Sequence, residues 1–142
     1  MEFERTMAEL FADEDRARAM AQHLMELAKR DQTAAAREKD SLLAFLRGPM
    51  ERHMVYEERV LFPLLVNHDL GAEVEVARKH HQSLREEADN LEKATDVAGI
   101  AKAVFFAARL MLHHTNFEGD YIYPELSRDE WRALMSETAR PG

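Results

Sequence analysis

The sequence contains no cysteine. That excludes disulfides, thiolate nucleophiles and cysteine-held iron–sulfur clusters. Glycine and proline are scarce, five and four among 142 residues, so breaks in the chain are few. No uninterrupted apolar run reaches the about 18 residues of a membrane-spanning helix. The opening "MEFERTMAEL" carries acids where a secretory leader has its apolar region. A cytoplasmic location with no membrane partner is therefore expected. Basic residues are also few: 19 Lys and Arg against 27 Asp and Glu leave a net charge of -8, with no basic patch beyond scattered pairs. Nucleic acid and anionic lipid are not expected as partners.

What is abundant favours helix: Ala, Leu, Glu, Arg and Met. Strand-type alternation is absent, and the apolar positions recur in steps of three and four. The length suits a single domain over residues 1–142, and 46% hydrophobic residues suffice for a core. The spacing predicts helices over residues 12–30, 33–65, 71–94 and 97–120. "LVNHDLG" makes one loop, with His68, Asp69 and Gly71 as turn residues. "KATDVAG" makes another, with Thr95 as the expected N-cap. Ser127 and Glu130 have capping-box spacing, so a short last helix starts there. Long helices joined by short loops give an all-α, up-down-up-down four-helix bundle with a short C-terminal helix. Gly48-Pro49 inside the second helix predicts a kink or break near residues 46 to 49, because proline lacks a donor and presses on the preceding turn.

The seven histidines are the unusual feature. In the second helix Leu46, Met50, His53, Glu57, Val60 and Leu64 share one face. In the third, Val74, Ala77, His81, Leu84, Ala88 and Leu91 do. In the fourth, Ile100, Val104, Ala107, Met111, His114 and Glu118 do. His80, His113 and Glu58 fall on outer or mixed faces. His23 lies at the edge of the first helix's stripe of Met20, Leu24 and Leu27. The three tyrosines, Tyr56, Tyr121 and Tyr123, read as packing residues, with a place beside or on a metal as the lesser reading.

A carboxylate on an inner face is costly unless a partner compensates it. Here two inner glutamates each follow an inner histidine by one turn: His53-x-x-x-Glu57 and His114-x-x-x-Glu118. Residues four apart stack on one face, so each pair aims an imidazole and a carboxylate at one point. With His23 and His81 added, the set suits two metal ions bridged by two carboxylates. Imidazole with carboxylate favours iron or manganese, and zinc fits the donors too. The bundles of the ferritin-like class use Glu-x-x-His, and no histidine here has a glutamate three residues before it.

The pattern His23, His53-x-x-x-Glu57, His81, His114-x-x-x-Glu118, with "EERVLFP" after the second histidine, resembles the hemerythrin-like family, the HHE cation-binding domains. The resemblance runs from the first helix to Pro124. It implies a di-iron centre held by His23, His53, Glu57, His81, His114 and Glu118, as in a symmetric four-His, two-Glu subgroup. Oxygen-carrying members have a fifth histidine where this chain has Ala77, and an aspartate where it has Gly119. The subgroup includes di-iron proteins linked to nitric oxide, peroxide and iron–sulfur cluster repair. The repair proteins usually carry an additional cysteine-bearing N-terminal segment, and this sequence has no cysteine. The implied function is redox chemistry on a small diatomic or peroxide ligand. The alternative is reversible oxygen or nitric oxide binding without turnover, and a bundle whose histidines merely pack is a third reading. The repetition fits two matched hairpins, with thirty residues between His23 and His53 and 33 between His81 and His114.

Overall fold

The computed structural model describes the backbone of residues 2–138 and the side chains of residues 5–136. The described residues are almost wholly helical and include no strand. The chain runs α1 (Glu2–Arg30), α2 (Gln32–Ala36), α3 (Lys39–Arg47), α4 (Pro49–Tyr56), a π-helical segment (Glu57–Leu61), α5 (Phe62–Val66), α6 (Gly71–Lys93), α7 (Val97–Tyr121), a 3-10 turn (Tyr123–Glu125) and α8 (Arg128–Thr138). The segments α2 to α5 together form the second long rod. α7 packs against α1 and α6, α6 against α3, and α4 against α1, which closes the four-helix ring.

The first helix begins at Glu2 rather than at residue 12. Met7 and Leu10 explain the extension: both are buried and continue the stripe of Ala17, Ala21 and Leu24 toward the N-terminus. The second rod breaks where Gly48-Pro49 predicts it. Gly48 has φ -104 and ψ -97, and a Cβ there would lie 2.8 Å from the Ala44 carbonyl oxygen. Pro49 then occupies the first turn of α4, where no N–H is needed. The rod turns once more at Arg37–Glu38, a break that the periodicity does not predict. Just beyond it, the Lys39 ammonium donates to the carbonyls of Glu92 (3.0 Å) and Ala94 (2.7 Å), capping the end of α6.

The N-cap of α7 is Asp96, not Thr95: its carboxylate accepts from the Gly99 N–H at 2.8 Å. In the α5–α6 turn, Asp69 takes the left-handed conformation (φ 65), and Gly71 instead opens α6. The capping box of α8 forms as spaced, with Glu130 N–H donating to Ser127 Oγ and Ser127 N–H to Glu130. By length and composition alone, Val97–Glu125 is apolar enough to cross a membrane. A core helix of a bundle has the same character, and Val104, Ala107, Ala108 and Met111 are fully buried here.

Each of the four rods carries its polar inner residues between two apolar cores. One core holds Ala17, Met50, Leu84 and Met111; the other holds Leu10, Leu61, Ala77 and Ile122. Between them lies one layer in which Glu14, His53, Glu57, His81, His114 and Glu118 are all buried.

Candidate metal centre

The layer is built from one stretch of each rod. α4 supplies His53, and the π-helical segment that follows supplies Glu57. Pro63 accounts for the π-helix: in a regular α-helix its ring would press on the carbonyl of residue 59. Widening the turn relieves that contact, and the Phe62 N–H bonds to the Glu57 carbonyl, five residues back. The same proline offset after His114 acts differently. There α7 ends at Tyr121, and Pro124 lies in the 3-10 turn. α6 supplies His81, and α7 supplies His114 and Glu118.

Two groups of four donors result, with the ligand atoms in each lying within 4.8 Å of one another. One is Glu14, His53, Glu57 and Glu118; the other is Glu57, His81, His114 and Glu118. Glu57 and Glu118 belong to both. His53 Nε2 lies 3.4 Å from Glu57, 3.9 Å from Glu118 and 4.0 Å from Glu14. His81 Nε2 lies 3.2 Å from Glu57, and His114 Nε2 lies 3.1 Å from Glu118. Close as they are, these atoms are not aligned on one another. Glu14 Oε1, His53 Nε2, Glu57 Oε1, His81 Nε2, His114 Nε2 and Glu118 Oε2 are all buried without a hydrogen-bond partner.

An orphaned buried polar atom costs about 1–3 kcal/mol. Six in one layer rival the whole stability of a small domain, about 5–15 kcal/mol. Lone pairs that converge on shared points, rather than on donors, are what a cation compensates. The donor set is oxygen and imidazole nitrogen without sulfur, and it fits a pair of transition-metal ions.

The structure brings together five of the six residues singled out from the sequence, and it does not bring in His23. His23 is exposed, one residue before the buried Leu24 and so about 100° around the helix from the stripe. The place on α1 that faces the cluster belongs to Glu14, nine residues earlier. Glu14 is in step with Met7, Leu10, Ala17, Ala21 and Leu24, and that register is the signal that marks it. The layer therefore holds three histidines and three glutamates rather than four and two.

The outer nitrogen of each histidine has a partner. His53 Nδ1 lies 3.3 Å from Asp13, and His81 Nδ1 lies 2.7 Å from Glu58. His114 Nδ1 lies 3.1 Å from Nδ1 of His80, one of the two donating and the other accepting. Such contacts fix tautomer and ring orientation. Helical periodicity places Glu58 on an outer face, and the structure does not. Glu58 turns its Oε2 to His81, and the Arg85 guanidinium donates to both of its oxygens, at 2.9 and 3.1 Å. A wider π-turn rotates less per residue than an α-turn, which keeps Glu58 near the inner face beside Glu57. His80 is half-buried rather than on an outer face, whereas His113 is exposed as expected. Tyr123 does more than pack: its buried hydroxyl donates to Glu57 Oε2 at 3.0 Å. Tyr121 is exposed, 55% of its surface being accessible.

Among the protein groups themselves the proton inventory is uneven. Burial, and then the charge of Glu57, raise Glu118 well above the usual carboxylate range. Burial would raise Glu57 too, but His53 and the hydrogen bond with Glu118 outweigh it and hold Glu57 well below that range. Burial and Glu57 lift Glu14 to about 7. His53 rises to about 9, because Glu57 and Glu14 overcome its burial. His114 is held well below the usual imidazole range by burial and by His81. Closely packed carboxylates that share protons are groups for which a cation competes.

A four-rod bundle with a buried imidazole and carboxylate layer between two apolar cores is a metal-binding design. The family model for the hemerythrin HHE cation binding domain matches residues 5–126, and the chain belongs to that family. No match was found among curated proteins or among solved structures.

Proposed function

We propose that the protein is a non-haem di-iron protein that carries out redox chemistry on a small diatomic or peroxide ligand: peroxide, nitric oxide or oxygen. The observation that carries this reading is the sharing of Glu57 and Glu118 by both donor groups, which makes them natural bridging carboxylates. When bound, two iron ions supply or accept electrons at a small ligand.

The chain's own residues set the conditions for that chemistry. Glu57 and Glu118 span the two halves. Glu14 and His53 complete one half, and His81 and His114 the other. Asp13, Glu58 and His80 hold the outer imidazole nitrogens, so that each Nε2 faces the centre. Tyr123 keeps a proton at Glu57 Oε2, and burial with the charges of Glu57 and Glu118 keeps its hydroxyl well above the usual range. The apolar cores above and below exclude bulk water. Four donor residues per group is fewer than an octahedral ion takes, which leaves room for an exogenous ligand. Ala77 is fully buried and contributes no donor where oxygen-carrying relatives have a histidine, which favours ligand turnover.

The test is to load the protein with ferrous iron without air, count the metal, and add oxygen, nitric oxide or hydrogen peroxide. About two irons per chain and consumption of one ligand beyond one equivalent are expected. A stable adduct with no further consumption would instead mean reversible binding. An iron content near zero with the fold intact would overturn the di-metal reading.

A further inference from the structure

The two donor groups share Glu57 and Glu118, so those residues cancel when the halves are compared. What differs is Glu14 with His53 on one side and His81 with His114 on the other. One half replaces an imidazole with a carboxylate. Carboxylates suit hard ions such as manganese, whereas imidazoles suit later ions such as zinc.

The surroundings differ in the same sense. His81 is tied to the Glu58 carboxylate at 2.7 Å, a short charge-assisted contact that fixes the orientation of its ring. Phe62 stacks on the His81 ring with centroids 5.3 Å apart, and Phe117 lies 5.3 Å from His80, behind His114. That half is enclosed. His53, with its longer 3.3 Å contact to Asp13, lines a surface cleft of about 310 Å³ together with Thr6, Asp13, Pro49, Arg52 and Tyr56. The Glu14 half is thus both richer in oxygen and nearer to solvent.

We propose that the two halves are metal sites of unequal chemistry: a closed imidazole half at His81 and His114 that fills first, and an exchangeable oxygen-rich half at Glu14 and His53 that fills second and accepts a hard ion. Offered both kinds of ion, the protein holds a mixed pair. Both halves still rank zinc above manganese, as the general affinity order requires, but the margin is narrower where Glu14 replaces an imidazole. One equivalent of zinc therefore goes to the closed half and leaves the open half for manganese. This inference rests on the di-metal reading above.

The experiment uses the full chain, stripped with a chelator, given one equivalent of Zn²⁺ and then excess Mn²⁺, desalted and analysed for both elements. Bound manganese is also read by its electron paramagnetic resonance. Wild type is expected to keep about one zinc and about one manganese per chain. Glu14→His makes the halves alike: manganese retention falls roughly ten-fold or more, and with zinc alone the variant still takes up about two equivalents. Glu14→Ala keeps the first zinc and loses manganese, with its helical circular dichroism unchanged. Manganese retention equal in Glu14→His and wild type would overturn the proposal. So would loss of the first zinc along with the manganese in Glu14→Ala. If a variant fails to fold, wild type alone decides, because one retained zinc with well under one retained manganese per chain contradicts an open half that accepts a hard ion. Wild type that keeps one zinc but no more manganese than Glu14→His sinks the inequality alone. Wild type that binds no metal sinks the di-metal reading itself.

Discussion

The Tyr123 hydroxyl donates to Glu57 Oε2 across 3.0 Å of buried space, although 66 residues separate the two in sequence. Tyr123 is held from behind. The Trp131 indole N–H donates to its carbonyl at 2.8 Å, and the two rings lie 5.4 Å apart, tilted by 32°. Trp131 stands on α8, just after the capping box that starts that helix. A helix wholly beyond the matched residues 5–126 thereby fixes a hydrogen bond inside the candidate metal layer.

Tyr123→Phe removes the donor and leaves the Glu57 oxygen without it. The expected loss of stability in the metal-free protein is about 1–3 kcal/mol, the cost of one orphaned buried acceptor. Trp131→Phe removes one neutral hydrogen bond and should cost about 1 kcal/mol plus its loss of packing. It should also shift the optical spectrum of the iron-loaded protein in the same direction as Tyr123→Phe. Urea unfolding and the spectrum check both. An unchanged spectrum in Trp131→Phe would mean that α8 does not act on the site.

Glu14 and His23 make opposite predictions. His23→Ala alters an exposed side chain and should leave metal content and stability within about 0.5 kcal/mol of wild type. Glu14→Ala removes a buried donor and should lower the metal content. Elemental analysis after loading decides, and a loss confined to His23→Ala would reverse the assignment.

The reason the sequence marks His23 rather than Glu14 is a matter of where α1 is taken to start. With a start at residue 12, Glu14 lies in the first turn and has no apolar neighbours before it. Once Met7 and Leu10 are helical, Glu14 sits between Leu10 and Ala17 on the buried face. His53, Glu57, His81, His114 and Glu118 are legible because each has apolar residues in step on both sides. The break at Gly48 is legible for a local reason too: proline needs a first turn. Glu58 and Asp13 are not legible, because each meets its histidine across helices. The reach of Glu58 depends on a π-turn set by a proline five residues further on. Tyr123 is hidden for another reason: it lies beyond the end of α7, where helical periodicity no longer says which way a side chain points.

Glu58 is next to be tested. It binds His81 on one side and Arg85 on the other, and Arg85 also reaches Glu51 at 3.0 and 3.1 Å. Glu58→Gln keeps the shape but weakens the hold on the imidazole. Loss of such an outer partner typically lowers metal affinity about 10–100-fold. Glu51→Gln touches only Arg85, at a partly exposed pair, and should change affinity little. Competition against a chelator measures both, and equal effects would remove Glu58 from the support of the site.

The last prediction concerns pH in the metal-free protein. Burial and the charge of Glu57 raise Glu14 from an ordinary 4.5 to about 7. The folded state therefore binds a proton that the unfolded chain releases between those values. The sign follows from linkage: the contribution of Glu14 is most favourable below pH 4.5 and is lost as pH rises through 7. Glu14→Gln has nearly the same shape and no such proton. The stability of wild type relative to Glu14→Gln should thus fall by about 3 kcal/mol between pH 4.5 and pH 8, the size of a shift of roughly two units. Glu14 also helps to raise His53 and Glu118, so the difference reads the loss of the Glu14 proton together with the response of those two neighbours. Urea unfolding with a chelator, at half-unit steps of pH, measures it. With metal bound the order should reverse near neutral pH, because the Glu14 carboxylate then faces a cation and glutamine coordinates it poorly. A difference that stays flat with pH in the chelated protein would show that Glu14 carries no raised proton. An order that fails to reverse on loading would show that Glu14 does not hold the ion.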